Sequence, residues 1–144
     1  MALEIDRQVR AGVVWVTGIS RGDVYWASVR PAHAVASEQH HDVPSPWLVV
    51  SGNAVHARFP IVIAVPFTTQ VTKADGFRGA RILVPEAHKL PGRGGATLPG
   101  DSLALTEQIR VLAHERLTKG PVARLSKAAM ASVEAALKHV LDMP

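Results

Sequence analysis

The chain contains no cysteine, which excludes a disulfide framework, a thiolate zinc site and a cysteine nucleophile. Aromatic residues make up only 5% of the chain, so a broad base-stacking platform like that of an RNA-recognition motif is not expected. No apolar run is long enough to span a bilayer, and the block at residues 13–16 is too short for a signal-peptide core. We therefore expect a cytoplasmic protein without a membrane partner.

The length and charge of the chain limit the number of domains and the kind of partner. The 144 residues are the length of one domain, and an apolar fraction of 47% supports a folded core. The formal charge of +4, with a pI near 10.0, suits a polyanionic partner. The same basic excess is common in proteins that bind no polyanion, so it is permissive only.

Two short apolar runs, residues 47–50 and 61–65, are rich in β-branched side chains and predict neighbouring central strands separated by a loop. The second run is expected to end at Pro66, because proline cannot donate to a sheet ladder. Polar side chains follow at residues 68–70. A hydrophobic strand that ends in hydroxyl and amide groups indicates a site at that end.

Alternating or compact apolar segments predict the other elements. Further strands are expected at residues 22–29, 80–84, 102–105 and 109–113, a helical turn at 114–117 and a turn at 119–121. The Pro/Gly-rich residues 85–100 predict a flexible functional loop or a disordered one, in which Arg93 is solvated or touches a phosphate. For residues 1–19 we favour a partly disordered extension over an added strand at 13–17.

The C-terminal segment gives the clearest helix signal. Ser126 is a candidate N-cap, and Leu125 and Met130 are spaced as a hydrophobic staple. An apolar stripe on one face of the helix predicts packing against the sheet; it consists of Met130, Val133, Leu137, Val140 and Leu141. Short strands followed by one helix favour an α+β fold, a small antiparallel sheet curled toward a barrel with the helix against it.

Several segments resemble, in order, the MazF/PemK/Kid family of toxin endoribonucleases: RGDVYW, PWLVVS, VPFTTQ and DSLALTEQIR. The resemblance covers residues 20–141. It implies one toxin domain over 20–144, preceded by an extension at 1–19, and an SH3-like barrel of the CcdB/PemK type. It also implies sequence-selective, metal-independent cleavage of single-stranded mRNA without a cofactor, leaving a 2′,3′-cyclic phosphate and a 5′-hydroxyl and stopping translation.

Family members are similar in using a threonine and an arginine for this cleavage. The resemblance puts Thr68 at the catalytic threonine, although a strand-end threonine also commonly caps backbone groups. Ser45 stands at the position of the arginine, and a serine hydroxyl supplies no positive charge. Three alternatives stay open: the chain is a low-activity variant, it binds without cleaving, or another residue substitutes. The candidates for substitution are His40, His41, Arg30 and Arg58, with His41 placed in the catalytic set.

The resemblance also suggests RNA-contacting residues: Glu38, Gln39, His40, Thr69, Gln70 and Gln108. Gln70 and Gln108 are equally suited to satisfying backbone groups at a strand end. The loop before Pro46 holds suitable metal ligands, including His33, His40 and His41, but without a helical or clustered spacing we expect no metal site.

The resemblance further implies a homodimer with the RNA groove at or beside the subunit interface. A cognate antitoxin with a disordered acidic tail would fold into that groove. The competing hypothesis is a non-catalytic protein on the same fold that binds RNA or antitoxin, with a gyrase-directed CcdB-like toxin as its variant. A small acidic protein encoded alongside would support either toxin hypothesis.

Overall fold

The computed structural model describes residues 4–29, 43–71 and 79–144. The strands are β1 (Arg7–Arg10), β2 (Val13–Val16), β3 (Asp23–Val29), β4 (Val43–Val49), β5 (Ile61–Thr68), β6 (Arg81–Val84), β7 (Lys89–Leu90), β8 (Ser102–Leu105), β9 (Arg110–Ala113) and β10 (Leu117–Leu125). The α-helices are α1 (Asn53–Arg58) and α2 (Lys127–Val140), and short 3-10 helices lie at Glu86–His88, Thr106–Gln108 and His114–Arg116. Within these ranges no helix is long and apolar enough to cross a membrane.

The main sheet is antiparallel, with the strand order β6-β8-β5-β4-β3-β10-β7, and β9 also pairs with β5. This confirms the α+β class with a mostly antiparallel sheet and a C-terminal helix. Between the two end strands, β6 and β7, no pairing is found among the described residues, so the path stays open. The closed SH3-like barrel therefore remains a prediction.

Alternation along the strands gives the sheet two apolar faces. One face, here called the helix face, packs against α2; its core includes Val24, Leu48, Val65, Phe67, Ala129 and Val133. The opposite face, here called the hairpin face, has a core that includes Val16, Tyr25, Ala27, Trp47, Ala64 and Leu117. Trp47 is buried on the hairpin face and Trp26 packs on the helix face.

The segment joining the two central strands is a short helix, α1, and not the loop that was predicted. The predicted strand end at Pro66 is also wrong by two residues, because β5 continues to Thr68. Pro66 pairs with Trp47 on β4, but on the other edge it falls between Ala64, paired with Arg110, and Phe67, paired with Ala104. Such an interruption of the ladder tolerates a residue without a backbone N–H.

The turn predicted at residues 119–121 is instead an irregular part of β10. Gly120 has a φ of 140°, and a Cβ atom there would lie 2.6 Å from Cδ2 of Tyr25. Only glycine fits both the backbone conformation and this contact. The irregularity thus lets β10 pass directly over the Tyr25 ring.

Residues 7–10 and 13–16 form two strands, which agrees with the alternative of an added strand at 13–17 and differs from the favoured, partly disordered extension. β1 and β2 pair in the register Arg7–Val16 to Arg10–Val13, and Ile5, Val16 and Ile19 pack into the hairpin face. The side chain of Arg7 donates to the carbonyl of Leu117 at 2.7 Å. A two-stranded hairpin is marginal alone, so these contacts with the sheet are what stabilise it.

His114 holds the hairpin from the sheet side. Its Nδ1 lies 3.0 Å from the Val16 amide nitrogen, and its Nε2 lies 3.1 Å from the Ile61 carbonyl oxygen. Because Nδ1 must accept and Nε2 must donate, the ring is the neutral Nε2–H tautomer. Burial lowers the pKa of His114, the Ile61 carbonyl partly opposes this, and His56 lowers it further. Charging the ring would replace the Val16 hydrogen bond by two facing N–H groups.

Helix α2 follows the prediction closely. The Ser126 hydroxyl accepts a hydrogen bond from the Ala129 amide at 3.1 Å, the N-cap expected from the sequence. Leu125 and Met130 both join the helix-face core. The apolar stripe is shorter than predicted, because Leu141 lies after the helix and is 51% exposed.

We predict that stability falls below neutral pH and that His114 causes part of this. Histidine with a folded-state pKa below 6.5 contributes stability that is complete above 6.5 and is lost as the pH falls toward the folded value. His56, whose pKa is also lowered by burial, has the same sign. Between about pH 7.5 and about pH 5.5, urea unfolding should show a smaller loss in the free energy of unfolding for His114→Gln than for the unchanged chain.

The control is His139→Gln, which removes an exposed imidazole on α2 and should keep the full pH dependence. The role given to His114 would be contradicted if the unchanged chain, His114→Gln and His139→Gln all lost the same free energy of unfolding between the two pH values.

Candidate functional site

Thr68 and Ser45 lie at the same end of neighbouring strands. The β4–β5 pairing is recorded as far as Trp47 with Pro66, two residues short of each of them. Alternation puts Ser45 on the face of Trp47, and it puts Thr68 on the face opposite Phe67. Both residues therefore lie on the hairpin face at one end of the sheet, where the sequence predicted a site.

The hydroxyl of Thr68 has one hydrogen bond and is free to make another. Its Oγ1 accepts from the Gln70 amide at 3.2 Å, which is the backbone-capping role weighed against catalysis. The hydroxyl proton has no acceptor among residues 4–29, 43–71 and 79–144, and the side chain is half-buried. The hydrogen bond from the Gln70 amide fixes the Thr68 oxygen and leaves the O–H group as a donor for a ligand. Capping of the backbone is therefore compatible with a catalytic role for Thr68.

Ser45 has a definite partner. Its Oγ accepts a hydrogen bond from the indole Nε1 of Trp47 at 3.0 Å. The hydroxyl therefore satisfies a buried tryptophan and supplies no positive charge to the strand end.

Of the residues proposed to supply that charge, the described part of the chain contains Arg58. It ends α1, next to the start of β5, whereas Thr68 ends the same strand, about 23 Å away at 3.3 Å per residue. Arg58 is thus out of reach of Thr68 within one chain. Glu38, Gln39, His40, His41 and Arg30 lie outside the described residues.

The other predicted contacts are split between two places. Thr69 and Gln70 are exposed directly after β5. Gln108 is half-buried at the end of the 3-10 helix before β9, beside the middle of β5. Its neighbour Glu107 makes a two-pronged contact with Arg81, with Nε at 3.1 Å from Oε1 and Nη2 at 3.2 Å from Oε2. Glu107 therefore fixes the turn that carries Gln108.

Arg93 is 43% exposed, but its guanidinium is paired with a buried carboxylate, a role that the sequence did not predict. Its guanidinium lies 2.6 Å from Oδ2 of Asp23, and it also donates to the Gly18 carbonyl and, at 3.4 Å, to the Tyr25 hydroxyl. Asp23 is only 1% exposed. Its Oδ2 also accepts from the Ser20 amide, whereas its Oδ1 is buried without a described partner. Burial and the Asp23 charge raise the pKa of Tyr25 to about 12.

The ion pair borders a cavity of about 320 Å³. Tyr25 and Arg93 line one part of it, and Glu4, Asp6 and Thr17 line another. Gly92 lets its loop approach β10 closely, because a Cβ there would lie 2.3 Å from the Pro121 carbonyl oxygen. The Pro/Gly-rich segment is therefore an ordered wall and not a disordered loop.

A second buried network joins the β4–β5 connection to the N-terminal segment. The Ser51 hydroxyl lies 2.6 Å from Nε2 of His56, and it accepts from the Ile63 amide at 3.0 Å. His56 Nδ1 faces the Ile19 carbonyl at 3.3 Å. Both side chains are buried, so this serine–histidine pair is a structural tie and cannot act on a substrate. In the described ranges no three potential metal ligands come close enough to hold a metal ion.

Solved structures share this fold. A mycobacterial endoribonuclease in complex with its cognate antitoxin is 21% identical over 88% of this chain and 98% of its own, with a TM-score of 0.60. A toxin MazF from Mycobacterium tuberculosis is 16% identical over 85% and 98%, at 0.61. The MazE–MazF complex of Deinococcus radiodurans is 20% identical over 88% and 97%, at 0.57. No curated protein matches the chain in sequence.

These structures establish the fold class as that of MazF toxins. The family described as PemK-like, MazF-like toxin of type II toxin–antitoxin system matches residues 20–141, and the chain belongs to that family. The resemblance drawn from the sequence is thereby confirmed, and the hairpin formed by β1 and β2 lies outside the matched residues.

We predict that Arg93→Ala destabilises the fold by about 2 kcal/mol, because it leaves a buried carboxylate unpaired. The figure is at the low end of the range since the Arg93 side chain is 43% exposed. In an Asp23→Asn background the same change should cost less, because no charge is then stranded. Chemical unfolding of the four proteins measures the coupling, and equal costs in both backgrounds would contradict it.

Proposed function

We propose that the protein is the toxin of a type II toxin–antitoxin pair and a sequence-selective, metal-independent endoribonuclease acting on single-stranded mRNA in the cytoplasm. The observation that carries the proposal is the hydroxyl of Thr68, at a strand end of a chain in this toxin family: the Gln70 amide holds its oxygen, and its proton has no acceptor among the described residues. A preorganised donor there is suited to a non-bridging phosphate oxygen, where charge develops during cleavage.

The proposed reaction breaks the bond from phosphorus to the 5′-oxygen after attack by the ribose 2′-oxygen. One group must take the 2′-proton and another must protonate the leaving oxygen, giving a 2′,3′-cyclic phosphate and a 5′-hydroxyl. We assign removal of the 2′-proton to a histidine of the segment before β4, with His41 as first choice, since imidazole titrates near neutral pH, and a water molecule supplies the proton to the leaving 5′-oxygen. Thr68 then stabilises the charged phosphorane.

Base recognition is assigned to amides near this end. Gln70 is exposed directly after Thr68, and Gln108 is held beside β5 by the contact of Glu107 with Arg81. Amide groups read the hydrogen-bonding edges of unstacked bases. Glu38, Gln39, His40 and Thr69 complete the proposed set.

We also propose the homodimer implied by the family resemblance, with the RNA groove at or beside the subunit interface. The acidic tail of an antitoxin would bind in that groove. Val111 on β9 is 55% exposed and pairs with half-buried Ile63, forming an apolar surface on the main sheet. Exposed Phe59 precedes the same strand. Apolar surface of this kind marks protein interfaces, and the basic charge balance suits an acidic tail.

Val111→Glu should therefore weaken the dimer, because it places a charge at the centre of this surface. Sedimentation velocity across a concentration series should show a rise of about tenfold or more in the dissociation constant. Leu83→Glu is the matched control, since Leu83 is 52% exposed on the edge strand β6. If Leu83→Glu weakens the dimer and Val111→Glu does not, the interface lies at the β6 edge instead.

The test of activity is incubation of the purified protein with a long RNA in EDTA, followed by mapping of the 5′ ends. The proposal predicts cuts at a short motif that leave 5′-hydroxyls, and a loss of at least 100-fold, on the order of an oxyanion-hole donor, in Thr68→Ala. Thr97→Ala, which changes an exposed threonine of the Pro/Gly-rich segment, is the control and should stay within a few-fold of the unchanged protein.

Ser45→Arg separates the two hypotheses. If only this variant cuts, Ser45 marks a disabled site and the native role is binding of RNA or antitoxin. Because Ser45 satisfies the Trp47 indole, the variant's unfolding transition must be measured beside its activity. Cleavage that survives Thr68→Ala or stops in EDTA would overturn the proposed mechanism.

A further inference from the structure

β1 carries two exposed arginines, Arg7 and Arg10, that lie outside the family domain. Among the described residues neither has a carboxylate partner: Arg7 donates to the Leu117 carbonyl, and Arg10 lies over the ring of Trp15. A guanidinium has five N–H donors, so most of the donors of both groups stay available. Both charges are therefore uncompensated on the surface.

The position of Arg7 relates it to the proposed site. Leu117, which it contacts, pairs with Ala27, and Ala27 pairs with Ser45 on the next strand. Two strand spacings separate Leu117 from Ser45, about 10 Å. All three residues lie at the end of the sheet where β5 ends in Thr68. A strand of RNA with its scissile phosphate at Thr68 needs only a few nucleotides to reach Arg7.

Arg10 and Trp15 form a stacked pair. The guanidinium carbon lies 3.9 Å from the Trp15 ring centroid, and the ring meets His114 edge-on at 5.9 Å between centroids. The tryptophan is thus held on one side by the sheet and covered on another by a cationic plane. Guanidinium planes and aromatic rings are the surfaces on which unstacked bases pack.

The acidic side chains of the same segment point elsewhere. Glu4 and Asp6 line the cavity beside Tyr25 and Arg93. The segment therefore separates its charges, with carboxylates toward the cavity and arginines along β1. This arrangement favours a polyanion with stackable bases over an acidic protein segment, which would use the charges but not the stacked plane.

We infer that the hairpin formed by β1 and β2 is an RNA-binding element, in which Arg7 contacts a backbone phosphate a few nucleotides from Thr68. The Arg10–Trp15 pair, which His114 links to the start of β5 about 23 Å from Thr68, stacks a base farther along the same RNA strand. The inference rests on the proposed function for its substrate. It gives the residues that precede the family domain a role in holding single-stranded RNA.

The test measures RNA binding by fluorescence anisotropy over a series of salt concentrations, in a Thr68→Ala background so that the RNA stays intact. Arg7→Gln should lower affinity and reduce the slope of log K against log salt by about 0.7, the value for one phosphate contact on a single strand. Arg10→Gln, which leaves the Arg7 bond to the sheet in place, should lower affinity about tenfold through lost stacking. Lys138→Gln, an exposed cation on α2 on the opposite face, should change neither.

Arg10→Gln also guards against misfolding, and its unfolding transition should match that of the control. The inference would be overturned if both arginine variants bound RNA as tightly as the control does. It would also be overturned if the arginine variants kept their RNA binding and lost binding of an acidic peptide. If the unchanged protein binds RNA through the hairpin but does not cut it, the proposed cleavage fails and the inference stands. If the unchanged protein cuts RNA and the arginine variants cut it equally well, the proposed cleavage stands and the inference about the hairpin fails.

Discussion

The structure depends on the way β5 is paired. On one edge β5 meets β4, and on the other it meets β9 along its first half and β8 at its end. The 3-10 helix Thr106–Gln108 fills the interval between these two partners, opposite Pro66. Because these registers are fixed, the end of β5 delivers Thr68 to one face, and Gln108 is placed beside the same strand.

The second constraint is the buried charge of Asp23. Its pairing with Arg93 joins β3 to the Pro/Gly-rich segment, and the same guanidinium reaches Gly18 and Tyr25. His56 and His114 add bonds to Ile19 and Val16 from other elements. The N-terminal hairpin is therefore held by the sheet at several points, which is what makes β1 a fixed surface next to the proposed site.

Local signals in the sequence predicted much of the fold. The apolar runs of β4 and β5 and the Ser126 cap depend on neighbouring residues, so they were readable without the structure. Helix α1 was missed because six residues with no side-chain cap give almost no periodic signal. The role of Arg93 was missed because its partner Asp23 lies 70 residues away. The hairpin likewise depends on His114, a contact that no local pattern reveals.

The candidate site was predicted only in outline. The family resemblance indicated Thr68 and Ser45, and the strand pairing places both at one end of the sheet, but their hydrogen bonds to Gln70 and Trp47 were not readable from sequence. The exclusion of Arg58 also needed the strand direction, since it is only ten residues from Thr68 along the chain. Long-range geometry, not residue type, decides these questions.

The central claim is that RNA lies across this end of the sheet, from Thr68 toward β1. The most direct measurement is NMR mapping of amide shifts while a short single strand with 2′-deoxy sugars, which cannot be cleaved, is titrated into the protein. The account predicts that the largest changes fall at the ends of β4 and β5, at Gln70 and along β1. Changes confined to α2 or to the edge strand β6, or none at all, would contradict it.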